Sequence, residues 1–166
     1  MTADLLPRFA TDELVTVAWI GSIPGLSPQM VATQLPPDTE KDGSPAAWVK
    51  TGFVTVSVVG GNPDDMLPVD RPVMQIDTWA TIPGSNKPPW ERANRLAKAI
   101  QKATIDRVSI PRPLTIVSKG VVYPSAAVQG ARALSTPRRV YDDAGDYARY
   151  TFDLWLSWIT LGEVTP

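Results

Sequence analysis

Two groups of carboxylates are the first residues in this chain whose types and spacing could do chemistry. Asp64, Asp65 and Asp70 fall in "NPDDMLPVD", and Asp142, Asp143 and Asp146 fall in "YDDAGD". Paired carboxylates can act as acid and base across a cleft, but only as two fixed groups on facing walls. Asp64 and Asp65 are neighbours in a loop. A small carboxylate-dependent enzyme would therefore have to join Asp64 or Asp70 to Asp142 or Asp146. The second group offers oxygen ligands to a hard cation, yet its spacing departs from that of a calcium loop. A solvated hairpin turn explains it without a metal. A Ser–Lys dyad would need Ser44, Ser57 or Ser118 aligned with a lysine, and no pattern points to one. Gly60-Gly61 follow a strand, but no GxGxxG or GxxxxGK[ST] is present, and a β-turn accounts for them.

The 166 residues include no histidine and no cysteine. The commonest general base, the commonest metal ligand, thiol catalysis, zinc ribbons and disulfides are thereby removed. Sixteen basic and 17 acidic side chains leave a net charge of −1, which argues against a dedicated nucleic-acid binder. No catalytic residue, metal or cofactor is expected. Apolar runs fall far short of the ~20 residues a membrane helix needs. The start, "MTADLLPRFATDE", lacks the basic head and apolar core of a signal peptide. The length suits one domain over 1–166, and 17 prolines imply many fixed turns.

The elements alternate in type. Residues 11–21 begin like a helix, with Thr11 as cap and Asp12 and Glu13 at the positive end. Three β-branched residues leave a strand open there. "MVATQL" at 30–35 reads as a short strand, and 36–47 as a mobile polar loop. Residues 48–61 hold a strand with Val54, Val56 and Val58 on one face and Phe53, Thr55 and Ser57 on the other. A helix follows Pro89, with Trp90, Ala93, Ala97 and Ile100 as its apolar stripe. Arg92, Arg95, Lys98 and Lys102 lie off that stripe, as on an ordinary solvated face. Residues 131–161 read as a long hairpin turning at 142–146. Its last strand sets Tyr150, Phe152, Leu154, Leu156 and Trp158 on one face. The expected fold is α+β: a mainly antiparallel sheet with one or two helices on one face. Val56, Ile76, Ala97, Ile100, Phe152, Leu154 and Leu156 should share its core.

The strand in "DRPVMQIDTWA" is unusual. Met74, Ile76, Thr78 and Ala80 make one face, while Val73, Gln75, Asp77 and Trp79 make the other. Trp79 and Trp155 both interrupt otherwise polar faces. Large aromatics on a polar background mark either covered core or a protein interface. Gln75, Asp77, Trp79 and Trp155 are therefore candidate interface residues.

The order of "VATQLP", "VVGG", "VDRPVMQIDTWA", "ANRLAKAI" and "YDDAGDYARYTFDLWLSW" resembles the tail terminator (tail completion) proteins of siphophages infecting actinobacteria. The resemblance spans roughly residues 10–160 and is structural, with no catalytic motif in it. It implies a virion protein and a non-enzymatic subunit of a ring, typically a homohexamer. Such a ring caps the tail tube at its head-proximal end, stops polymerisation and docks the head. The implied partners are further copies of the chain, the tail tube protein and a head-completion or connector protein. Assembly takes place in the host cytoplasm without a membrane. DNA passes through without specific binding, so the Asp64, Asp65 and Asp70 loop becomes a candidate lumen element. A head–tail connector ring protein is the nearest alternative.

Overall fold

The computed structural model describes residues 7–108, 110–141 and 145–162. Helix α1 (Asp12–Gly21) forms despite its β-branched residues. Thr11 Oγ1 accepts the Leu14 N–H at 3.3 Å, and Thr16 turns its hydroxyl back onto the Asp12 carbonyl at 2.7 Å. Val15, Trp19 and Ile20 are fully buried, so packing outweighs a weak local propensity. A 3₁₀ turn (Pro28–Met30) leads into β1 (Val31–Ala32), much shorter than the strand expected over 30–35. Residues Trp48–Thr51 form a helical turn, α2, so the next strand, β2 (Phe53–Gly61), starts later than its sequence suggested.

One sheet organises the chain. Its strands are β1, β2, β3 (Pro72–Thr81), β4 (Arg112–Ser118), β5 (Val121–Ala133), β6 (Arg138–Val140) and β7 (Tyr147–Thr160). The order is β1-β2-β3-β7-β5-β4, with β6 also on β7. Among the described residues only β1 and β2 run parallel; the other pairs are antiparallel. Helix α1 packs on both β2 and β4, near the two ends of that order, so the sheet is curled. Helix α3 (Trp90–Ala103) lies against β3 and β7 on the same concave face. The fold is thus α+β with a mixed, mostly antiparallel curled sheet and helices on one face. Among the described residues no helix is long and apolar enough to cross a membrane.

Several elements depart from the sequence expectations for local reasons. Gly60 and Gly61 do not end β2 in a turn. The strand continues through them with a bulge between Val58 and Gly60. Gly61 has φ +122°, and a Cβ there would sit 2.5 Å from the Arg71 carbonyl oxygen, so only glycine fits. The first arm of the expected long hairpin is broken into β5 and β6. Leu134 N–H donates to the Asp153 carbonyl at 2.8 Å, and Ser135 Oγ accepts the Asp153 N–H at 2.9 Å. Asp153 thus bonds the break in the chain where a continuous strand would have bonded. The turn itself, with Asp142 and Asp143, lies outside the described residues.

The concave face carries the core. Val56, Ile76, Ala97, Ile100, Phe152, Leu154 and Leu156 all belong to one buried cluster with Trp19, Met74 and Trp158. Alternation along β3 and β7 puts Met74, Ile76, Leu154 and Phe152 on that face as cross-strand partners. Phe152→Ala should therefore cost about 3–5 kcal/mol in denaturant unfolding. A loss under about 1 kcal/mol would mean that the cavity collapses without cost and that Phe152 does not anchor the core.

Candidate functional site

The convex face of the sheet is where the candidate interface residues lie, and it divides into two halves. The lower half is closed. Asp77, only 6% exposed, accepts from Arg149 Nε at 3.1 Å, while Arg149 Nη2 lies 3.1 Å from its second oxygen. Gln75 Nε2 donates to that second oxygen at 2.9 Å. The Arg149 guanidinium also sits 4.8 Å above the Trp79 ring, and the indole N–H donates to Thr55 Oγ1 at 2.9 Å. A buried carboxylate is stable only when paired and hydrogen-bonded, and this network does both. Gln75, Asp77 and Trp79 are therefore engaged inside the chain.

A second, smaller core covers this half. Ala46, Trp48, Val49 and Phe53 pack with Trp79 and Tyr147. Trp48 stacks on Tyr147 at 6.4 Å and meets Phe53 edge-on at 5.9 Å. The segment 36–47, expected to be mobile, carries several tethers. Trp48 Nε1 donates to the Pro37 carbonyl at 2.9 Å, Ala46 N–H to the Asp38 carbonyl at 2.8 Å, and the Tyr147 hydroxyl to Asp38 Oδ2 at 2.9 Å.

The upper half is open. Val73 and Trp155 face each other across β3 and β7 and remain partly exposed, with Ser57 exposed beside them. Arg132 of β5 pairs with Trp155 from the other side. The indole lies over Gly130, where a Cβ would come within 3.3 Å of its ring. Glycine there lets a tryptophan lie flat on the sheet. Gln75, Trp79 and Trp155 are all partly exposed, and of the four candidate interface residues Trp155 is the one whose side chain has no hydrogen bond, ring contact or place in a buried cluster among the described residues. Arg149, which neutralises Asp77, was not singled out from sequence. Its approach to Asp77 is diagonal across two strands and shows only once their register is known.

The candidate lumen residues sit at the end of the sheet where β2 passes to β3. Asp64 Oδ1 accepts the N–H groups of Met66 and Leu67, both at 2.9 Å, and Arg71 pairs with Asp64 at 2.8 Å. The two backbone bonds, ahead of Arg71, hold the Asp64 carboxyl below its usual range. Asp65 is exposed. Asp70 forms a backbone bridge with Trp158 and lines a cleft of about 730 Å³ with Asp12 and Glu13. Burial, then the nearby Asp12 charge, raises its pKa. Asp12 accepts the Trp158 indole N–H at 2.8 Å. Asp146 immediately precedes β7, twelve residues before Trp158 along that strand, so it lies roughly 40 Å from Asp70. That separation rules out an Asp70–Asp146 acid–base pair; Asp142 and Asp143 lie outside the described residues. Among the described residues no three potential ligands cluster to hold a metal ion.

On the solvent side of α3 is a groove of about 610 Å³ rimmed by Lys50, Arg92, Arg95, Lys98 and Lys102. The sequence placed four of these on one helix face. Lys50 joins them from α2 through the fold alone. Arg92 Nη1 donates to the Val49 carbonyl at 2.8 Å, which ties α2 to α3.

Two measurements test the closed half. Arg149→Met should cost about 2–4 kcal/mol, because it leaves Asp77 buried without its cation. Adding Asp77→Asn should recover part of that loss; no recovery would mean that Arg149 acts through Trp79 alone. The Tyr147–Asp38 bond has a pH signature. Burial, then the bond to Asp38, pushes the Tyr147 hydroxyl up to about 12 from 10.0. A phenol whose folded pKa is raised contributes stability that is whole below its unfolded pKa and is lost as pH climbs from about 10 to about 12. Asp38 is lowered, first by Tyr147, so its share is lost as pH falls through the acidic carboxylate range. Tyr147→Phe should cost about 1 kcal/mol at neutral pH. Its stability–pH curve should be flatter than wild type at both ends. Parallel curves would remove the bond from the stability of the fold.

No family model and no curated protein matches this sequence. A solved structure of a protein whose name states no function is 16% identical, over 92% of this chain and 97% of that one, with a TM-score of 0.37. A likeness at that level carries no argument about function.

Proposed function

We propose that this chain is a tail terminator: a subunit of a ring, typically of six copies, that caps a phage tail tube, ends its growth and docks the head. The reading comes from the resemblance of its segments to that family. The observation that carries it further is the open upper half of the convex sheet face, where Trp155 and Val73 stay partly exposed on rigid central strands. A half-buried tryptophan on a two-sided sheet is completed by a neighbouring surface, and aromatic anchors of this kind concentrate the energy of protein contacts. A ring subunit has to present such surfaces to copies of itself and to the tube. The role requires no catalytic group.

Electron microscopy of particles made without the protein tests the reading. Loss of a terminator gives overlong tails without heads. Tails of normal length beside unattached, leaking heads would instead identify a connector ring protein and overturn the terminator role. Trp155→Ser should leave the monomer folded, since the side chain lies outside both buried clusters, and should weaken capping of tubes at least about tenfold. Normal capping by this variant would remove the open face from the assembly surface.

A further inference from the structure

The loop between β2 and β3 carries Met66 at 88% and Leu67 at 56% exposure, preceded by Asp64 and Asp65 and followed by Asp70. Burying such a side chain is worth roughly 1.5–3 kcal/mol, and the fold of one copy forgoes it here. The loop is not slack. Asp64 holds the N–H groups of Met66 and Leu67, and the Leu67 carbonyl accepts the Val69 N–H at 2.7 Å. Asp70 and Trp158 exchange backbone bonds at 2.9 and 3.0 Å, and Pro63 and Pro68 fix the flanks. The tip is thus set in one shape before it meets anything, which lowers the entropy cost of binding.

The α3 groove has the complementary composition. Its lining includes five cations, and among the described residues no carboxylate lines it. Its floor is apolar, made by Leu26, Met30, Leu96 and Ala99. A phosphate backbone would use the cations but gains nothing from that floor. An acidic turn with apolar side chains at its tip uses both, and "DDML" is such a turn. The groove lies beside the start of β2, and the loop follows its end. Nine residues of strand separate them by roughly 30 Å, so no copy can fill its own groove.

We infer that Met66 and Leu67 of one copy seat on the apolar floor of the α3 groove of the next, with Asp65 against its lysines and arginines. The contact is head-to-tail: loop and groove are different surfaces, and each copy offers one of each. The inference rests on the ring reading above for its partner, a second copy of this chain. It turns the acidic loop towards a neighbour rather than towards a channel.

The chain contains no cysteine, so disulfide trapping has no background. Met66→Cys and Ala99→Cys are introduced together, and the purified full chain is oxidised under mild conditions. A covalent ladder extending beyond dimers is expected, whereas either substitution alone stops at dimers. Adding Arg95→Glu with Lys102→Glu, both at exposed positions, should slow trapping about tenfold or more. Adding Asp65→Lys to that reversed groove should restore it, and circular dichroism checks that each variant is folded. Trapping that ends at dimers, or that ignores the charge reversal, overturns the inference. So does a wild-type chain that retards duplex DNA through Arg95 and Lys102 when the cysteine pair yields no ladder. The ladder is read from purified protein and tail length from particles, so either result can fail without the other.

Discussion

The pairing of β3 with β7 sets almost everything else in this molecule. Nine cross-strand pairs run without a bulge from Val73 opposite Trp155 to Thr81 opposite Tyr147. This ladder puts Met74, Ile76, Phe152 and Leu154 into the concave core and brings Arg149 diagonally to Asp77 on the other face. A slip of either strand by one residue would turn every side chain of that strand over. In β3 it would bury Asp77 against α3 and expose Ile76; in β7 it would bury Asp153 and expose Phe152. The core and the Asp77–Arg149 pair therefore both favour one register, each penalising the slip on its own face. Buried ion pairs are weak sources of net stability but effective against alternatives, and this pair is placed where it can select.

The concave side of the fold was legible because its signals are local. Alternation in β3 and β7 and the apolar stripe of α3 each name the residues that face inwards, and one period suffices to read them. The convex side was legible only in outline. Trp79 and Trp155 stand out equally as aromatics on polar strands and are both partly exposed, yet one packs with Trp48, Tyr147 and Arg149 while the other has Gly130 beneath its ring. What separates them is the segment 36–51, folded back over one half of the sheet. That placement depends on long-range bonds such as Tyr147 to Asp38, which no local pattern announces. Helix α1 was ambiguous for the opposite reason. Its β-branched residues weaken a helix locally, and burial against β2 and β4 decides the matter. The exposure of Met66 could not be read at all, because a methionine in a sequence looks the same under a core and above a loop.

Charge follows the fold although the chain is nearly neutral overall. Asp12, Glu13, Asp64 and Asp70 gather round one cleft, at the start of α1 and the end of β7. Lys50, Arg95, Lys98 and Lys102 gather near the other end of α1, beside the Pro24–Leu26 turn. A helix of ten residues, about 15 Å long, thus runs between an acidic and a basic region, with its dipole favouring the carboxylates at its start. A molecule charged in this way is drawn to copies of itself in one relative orientation and repelled in the reverse one. Orientation of encounter, more than depth of binding, is what such a field supplies.

A loop tip seated in one groove is small beside a standard interface of about 800 Å² per partner. Met66, Leu67 and Asp65 together offer a fraction of that area, so a loop-in-groove contact alone would hold two free copies weakly. The open Trp155 face adds area only when a second surface reaches it. In the proposed ring on a tube end, both contacts would form at once, and the second would become intramolecular once the first is made. The effective concentration then multiplies two modest affinities into a firm one. The proposed terminator role would benefit from this arrangement. Rings that closed strongly in free solution would have to meet the tube as preformed bodies. Subunits that hold one another only when the tube end gathers them would place the cap where polymerisation has to stop.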